Sequence, residues 1–476
     1  MHNNRELIGR VWFVVSFAVL AFLYGTAVGK WEWFPHSFLD RATDQARSVF
    51  SSYIGGGDGD GDGKLTTRRV YDRSGVQIEQ PDRMQPGMTL LVSSWNWDGN
   101  GSEELSPGAK LIDREGQTVH SWHPDRSKLF PSPIALRGGD PTESAIHGSY
   151  LLPNGDLILI LTFVGAVRVD ACGDVVWRLE ESNHHSVAQA EDGTFWIPGV
   201  SSKRKTETPK YPDGLPYPSS LQGSDKSVWM DRLLRVSADG EVLDDINLLD
   251  VLYTNGLERY ILKAQRRSAY MSGDGDPLHL NDVEPLSPSM ADEYPRFEAG
   301  DLLVSLKHPD LVLVLDPDSK TVKWHADSTP SDSHHLLQQH DPDFMGSGWI
   351  GVFNNREDFT DRGPLLGGSQ ILAFQPHTDS TRVLFPTQNS DSIYTQNRGK
   401  WQYLENGNLL LTESNAGRAL EVTSDGKTVW EWIHAPSSDS EVPFVTKASR
   451  HGLTREEVAS WSCSSVDSVS TAAQKQ

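Results

Sequence analysis

Four histidines, His147, His185, His279 and His340, each stand just upstream of a turn and an apolar strand, and at the fifth equivalent place the chain carries Trp401. The segments read IHGSYLLPNGDLILIL, HHSVAQAEDGTFWIPG, HLNDVEPL running on to AGDLLVSL, QHDPDFMGSGWIGVF and KWQYLENGNLLLTES. Imidazoles titrate near neutral pH, so a group of them could bind metal, relay protons, attack an electrophile or cap loops with hydrogen bonds. A single copy such as His147 beside Gly148 reads as a turn tie; the set is distinguished by the polar residues around particular members. His279 and Asn281 are two apart and share one side of an extended segment. Lys307 ends DLLVSLK in the same repeat and brings a cation toward the same place, while Asp341 beside His340 can orient the ring or serve as a turn acid. Imidazoles, one amide and one ammonium suit an anionic tetrahedral group whose charge must be held while it moves.

Such residues converge only if the repeat is arranged around an axis. From about residue 86 to 435 the chain reads as short strands punctuated by turns, each unit leading from a turn such as LPNG or LENG into two strands and then a hairpin that often ends in Trp. The hairpin is plain in GAVRVDACGDVVWRL, LVLVLDPDSKTVKWH and GRALEVTSDGKTVWEW, and weaker in LLRVSADGEVLDDI, SQILAFQPHTDSTRVLF and AKLIDREGQTVHSW. Asp-Gly and Asp-Ser turns between alternating apolar runs are hairpin signals, since these residues tolerate positive φ. Six units able to supply about four strands each predict an all-β, six-bladed β-propeller, with insertions at 200–230 and 255–278 over one face. The innermost strand of each blade would line the axis, and the histidine slot immediately precedes it.

Composition narrows the partners. A formal net charge of -22 argues against nucleic acid and anionic membrane surfaces. The single basic run, SSKRKTETPK, sits among loop residues. Two cysteines, Cys172 and Cys463, form no metal-binding spacing and leave their pairing open. Several of the fifteen tryptophans close strands, which indicates repeated core packing.

Residues 11–29, VWFVVSFAVLAFLYGTAVG, are free of charge and follow Arg5 and Arg10, so they are expected to form an N-terminal transmembrane helix or a signal peptide cleaved after Gly29. Either way the rest of the chain is exported, to the periplasmic or extracellular side. Residues 31–85 follow as a short amphipathic stretch and an acidic Gly/Asp linker. In that linker Asp58, Asp60 and Asp62 with Gly63 match the first half of an EF-hand calcium loop, but Arg69 stands where the bidentate Glu belongs, so a flexible spacer is the competing interpretation. The polar tail from 436 to 476 carries one short helix signal, with Thr454 as cap and Glu457 completing a capping box.

The stretches DPLHLNDVEPLSPSMADEYPRFEAGDLLVSLKH, QQHDPDFMGSGWIGVFNN and NGNLLLTESNAGRALEVTSDGKTVWEW resemble the bacterial arylsulfate sulfotransferase family, over roughly residues 85–435. That resemblance implies an exported six-bladed propeller that moves a sulfuryl group from a phenolic sulfate ester to a phenolic acceptor, without a nucleotide sulfate donor and without a cofactor. It also implies a transiently sulfated histidine at His340, supporting groups at His185 and His279, and substrate contacts at Asn281. Lys307 stands where the family has an arginine, and Trp401 where a histidine is expected, as a lost proton donor or an aromatic wall. A non-catalytic binding propeller and a metalloenzyme are the competing functions.

Overall fold

The computed structural model describes residues 65–97, 105–130, 144–201, 230–261, 263, 276–328, 335–358 and 363–462, with a few positions between 13 and 26. Six antiparallel sheets carry the expected hairpins, one per blade. Blade 2 comprises Ile146–Leu151, Leu157–Leu161, Gly165–Val169 and Val175–Leu179. Blade 3 follows with Ala188–Gln189, Phe195–Val200, Asp231–Val236 and Val242–Asn247, and blade 4 with Leu280–Pro285, Leu302–Leu306, Leu311–Asp316 and Thr321–Ala326. Blade 5 is His340–Gly346, Trp349–Asn354, Gln370–Gln375 and Ser380–Phe385. Blade 6 runs through Lys400–Tyr403, Leu409–Glu413, Arg418–Val422 and Thr428–Ile433, and gains Gly75–Ile78 as a fifth, outermost strand.

Blade 1 is assembled from both ends of the propeller. Its innermost strand, Val445–His451, pairs with Met88–Trp95, which continues to Ser106–Ile112 and Thr118–Trp122. The propeller therefore extends past residue 435, where the sequence suggested that the polar tail began. Alternation is broken in VTKASRH by buried Ser449 and Arg450, which hides the strand from a period-two pattern. After it, the helix Arg455–Ala459 has the expected capping box, with Thr454 and Glu457 exchanging side-chain and backbone hydrogen bonds. Cys172 takes part in a disulfide; the other cysteine, Cys463, lies outside the described residues.

Neighbouring blades pack face to face through apolar side chains. Leu233 and Ile246 of blade 3 meet Leu280, Leu302 and Leu313 of blade 4, and Val312 and Val314 on the other face of blade 4 meet Ile350, Val352 and Leu372 of blade 5. Strand-closing tryptophans add a directed tie. The indole N–H of Trp122 donates to Gly155 O in the next blade at 3.1 Å, that of Trp177 to Ala238 O at 3.0 Å, and that of Trp430 to Arg114 O at 3.0 Å. Each acceptor lies in a turn of the following blade, so one side chain fills the inter-blade core and fixes the next blade's height. The turn glycine Gly240, at φ 88, has no Cβ where Trp177 packs; an added one would stand 2.8 Å from the ring.

Among the described residues no helix is long and apolar enough to cross a membrane. Most of the segment 11–29 and all of Asp58, Asp60 and Asp62 lie outside the described residues, as does most of both insertions. The helix Leu248–Thr254, capped by the Asn247 side chain on Leu249 N and Asp250 N, leads into the second insertion.

Candidate active site

The entry ends of the innermost strands bring the four histidines together. Ring centroids lie 4.2 Å apart for His147 and His185, 4.9 Å for His185 and His279, and 6.4 Å for His185 and His340. All four are buried. They do not share one strand register: His147 lies in an irregularity between Ile146 and Gly148, His279 precedes Leu280, and His340 itself pairs with Phe353. His185 and His279 have φ of 59° and 51°, a left-handed conformation that costs a non-glycine residue of order 1 kcal/mol or more. The expected extended run from His279 to Asn281 is accordingly broken, yet both remain beside the cluster.

Three of these rings are held by partners outside the repeat. His340 Nδ1 lies 2.7 Å from Asn355 Oδ1 and 3.1 Å from Gln338 O. Both N–H bonds of Asn355 are spent on Thr395 O and Arg398 O, so its oxygen must face the ring. Two acceptors on Nδ1 place the proton there, and in the neutral ring the lone pair is then on Nε2. His279 Nδ1 meets Asp276 Oδ2 at 2.7 Å, and the other oxygen of this carboxylate accepts His279 N at 3.1 Å. His185 Nδ1 is 2.7 Å from His184 Nδ1, and His184 Nε2 is 3.4 Å from Asp231 Oδ1. The second oxygen of Asp231 accepts Leu280 N, tying this relay to blade 4. The Asp341 carboxylate binds Lys400 Nζ and Trp401 N of blade 6.

Asn281 and Lys307 adjoin the residues of the cluster through hydrogen bonds to Gln339 O and His279 O. Asn281 is wholly buried and donates to Gln339 O at 2.7 Å; its Oδ1 accepts no hydrogen bond among the described residues. Lys307, likewise buried, is fixed through its backbone: its N donates to His279 O and its O accepts Gln338 Nε2, both at 3.0 Å. It therefore stands between the blades that carry His279 and His340. Trp401 lines the cavity that lies further along the strands. Its indole N–H donates to Asp341 O at 2.8 Å, and its ring packs with Phe353, Ile371 and Leu411.

Sequence reasoning did not find Asp276, His184, Asp231, Asn355 or His308. His184 is visible in the HH pair, but nothing in composition separates it from its neighbour. Asp276 and Asn355 lie in connections that follow no repeat pattern. His308 Nδ1 bonds to Asp276 O at 2.7 Å, and its ring centroid is 4.7 Å from that of His279. Asp276, His279 and His308 each offer a ligand atom within 4.8 Å of the others, so they are the described group with the donor set for a metal ion. In the arrangement seen, their Nδ1 atoms are already committed to Asp276.

Further along the same strands lies a cavity of about 370 Å³, lined by Ser149, Glu284, Asp343, Tyr403, Lys447 and His451 among others. Three residues of strand span about 10 Å, so Glu284 sits that far beyond Asn281. Between the two levels Lys400 Nζ contacts Asp341 Oδ1 at 2.6 Å and Asp282 Oδ1 at 3.1 Å. Burial pushes Asp282 above the usual carboxylate range despite Lys400. It raises Glu284 to about 8 and Asp343 well upward, with neighbouring carboxylates adding to both. Burial alone would lower Lys400, but Asp282 and Asp341 more than offset it and hold the ammonium above its ordinary range. Lys447 is lowered by burial and by Lys400, and His451 falls to about 4 through burial and two nearby cations.

The six-bladed propeller gathers four buried imidazoles at the entry ends of its inner strands, three of them held through Nδ1 by a polar partner. The arylsulfotransferase (ASST) family model matches residues 148–435, and the chain belongs to that family. No curated protein matches it. Among solved structures, a protein of unknown function from Bacteroides caccae is similar at 12% identity and TM-score 0.45, covering 76% of this chain and 98% of its own. A virginiamycin B lyase from Staphylococcus aureus is similar at 8% identity and TM-score 0.36, covering 77% of this chain and 90% of its own.

Proposed function

We propose that the histidine cluster transfers a sulfuryl group from a phenolic sulfate ester to a phenolic acceptor through a sulfohistidine at His340. The observation that carries this reading is the pair of acceptors on His340 Nδ1, Asn355 Oδ1 and Gln338 O, which directs the ring lone pair to Nε2. In the first step the Nε2–S bond forms, the S–O bond to the aryl group breaks and the phenolate leaves. A proton on His279 or His185 neutralises it. In the second step the acceptor hydroxyl attacks sulfur, passes its proton back to that imidazole, and the N–S bond breaks to restore His340. Asp276 supports the positive charge that His279 carries before it gives up this proton and again once the second step returns it, as a carboxylate behind a general acid does. Asn281 and Lys307 hold the sulfuryl oxygens, where positioning and charge stabilisation supply most of the acceleration, as in phosphoryl transfer. The charge-free segment 11–29 supports export, with the propeller tethered outside the cytoplasmic membrane.

Incubation with a chromogenic aryl sulfate and a phenol is expected to release coloured phenolate, with a sulfuryl adduct found on His340 by mass spectrometry. Turnover by His340→Ala at the parent's rate would remove His340 as nucleophile. Stoichiometric zinc or copper lost with His279→Ala would transfer the cluster to metal chemistry instead.

A further inference from the structure

We propose that Lys400 is a positioning residue, whose ammonium fixes the separation of Asn281 and His340 by clamping the carboxylates that follow them in the chain. The proposal rests on the reading of His340 as nucleophile. Asp282 follows Asn281, and Asp341 follows His340. Lys400 begins the innermost strand of blade 6, opposite Thr412, and reaches across the axis to both carboxylates. Side-chain exposure is 10% for Lys400, 7% for Asp282 and 11% for Asp341, so water does little to screen the contacts.

The clamp acts where the strand register is irregular, beside the direct bond from Asn281 Nδ2 to Gln339 O at 2.7 Å. Register is irregular between Leu280 and Asp282 and again between His340 and Pro342. A bulged residue is released from the ladder, so the ladder does not set the height of Asn281 or Asp341. Asp341 is further held in a left-handed conformation, with φ of 49°. Three other bonds converge on these acids: Trp401 N on Asp341 Oδ2 at 2.7 Å, Trp401 Nε1 on Asp341 O, and the Ser186 side chain on Asp282. Lys400 touches both strands through these acids, with Asp282 Oδ1 at 3.1 Å and Asp341 Oδ1 at 2.6 Å. Without the ammonium, one of the two buried carboxylates takes up a proton and the charged bridge between blades 4 and 5 is lost where Asn281 and His340 begin. A displacement of about 1 Å at a reacting group can cost about 100-fold in rate.

The test compares the parent, Lys400→Met and Lys400→Arg by single-turnover sulfation of His340 and by steady-state donor KM. Lys400→Met is expected to slow sulfation about 100-fold with KM within about threefold of the parent, and Lys400→Arg to recover at least about tenfold of that loss. A large rise in KM at unchanged sulfation rate, or equal rates for Met and Arg, overturns the proposal. Should Lys400→Met not fold, the variant that adds Asp282→Asn and Asp341→Asn removes all three charges at nearly constant volume; it is expected to fold and stay slow, and a parent-like rate overturns the proposal. Absence of any adduct in the parent instead removes the His340 reading. Nitrogen-15 histidine spectra then decide the positioning role, since Lys400→Met is expected to shift the His340 ring signals and unchanged signals overturn it.

Discussion

At the entry ends of the inner strands stand imidazoles whose rings are turned by Asn355, Asp276 and His184; a few residues further along the same strands stand Glu284, Asp343 and Lys447, whose charge is governed chiefly by burial. The first level consists of imidazoles directed by specific polar partners. The second consists of groups pushed away from their ordinary charge states by a confined site. The strands supply both levels, but the orienting partners of the first come from irregular connections. A propeller thus gives its axis a generic lining through the repeat and a directed one through its loops.

The sharpest way to break this contrast is at its directed end. His340→Ala is expected to lower phenolate release from an aryl sulfate by about 1,000-fold or more, with the circular dichroism spectrum unchanged. Residual activity within tenfold of the parent would make the two levels chemically equivalent. Next in size is Asn355→Leu, which removes the shorter of the two acceptor contacts on His340 Nδ1 together with the N–H bonds to Thr395 O and Arg398 O. A loss of about 30- to 100-fold in the sulfation step is expected, with donor KM little changed. An effect confined to KM would show that Asn355 shapes a binding wall and does not orient the ring.

The contrast also explains what was legible in the sequence. All six hairpins were readable, because alternation and Asp-Gly turns such as Asp239-Gly240 and Asp425-Gly426 are local signals. His147, His185, His279 and His340 were readable because they recur. The closing strand Val445–His451 was missed because buried Ser449 and Arg450 break the apolar pattern, and its pairing with Met88–Trp95 is non-local. Asn355 and Asp276 were missed because an orienting residue is defined by the ring it meets across space. Trp401 recurs in the repeat slot and lines the cavity, but Lys400, one residue before it, is the group that reaches the acids beside Asn281 and His340 and carries no repeat signal. A one-residue step reverses the face of a strand, so a slot identified by turns alone can be read off by one.

A smaller effect tests the burial-governed end. Glu284 is raised to about 8 by burial, with Asp282 and Asp341 adding to the rise and the Phe344 N–H and Lys447 opposing it. A carboxyl raised in the folded state gives stability that is complete below its ordinary pKa and is lost as pH climbs through the folded value. The parent should therefore lose stability from this group between about pH 4.5 and 8. Glu284→Gln lacks that loss, so its Tm relative to the parent's is expected to rise by a few degrees between pH 5 and pH 8.5. Thermal scans across that range decide it; a difference independent of pH would mean that Glu284 is ionised in the cavity.

The smallest expected effect falls on the boundary between the two levels. Trp401→Phe keeps an aromatic ring in the cluster of Phe353, Ile371 and Leu411 but loses the N–H that binds Asp341 O. Losing one hydrogen bond and leaving a buried carbonyl with one partner fewer costs about 1 kcal/mol in denaturant unfolding. Because Lys400 and Trp401 N still grip the Asp341 carboxylate, His340 should keep its place and the rate should fall less than about threefold. A tenfold rise in donor KM would instead put the indole against the aryl substrate, and the line between the histidine cluster and the cavity would then have to be drawn below Trp401.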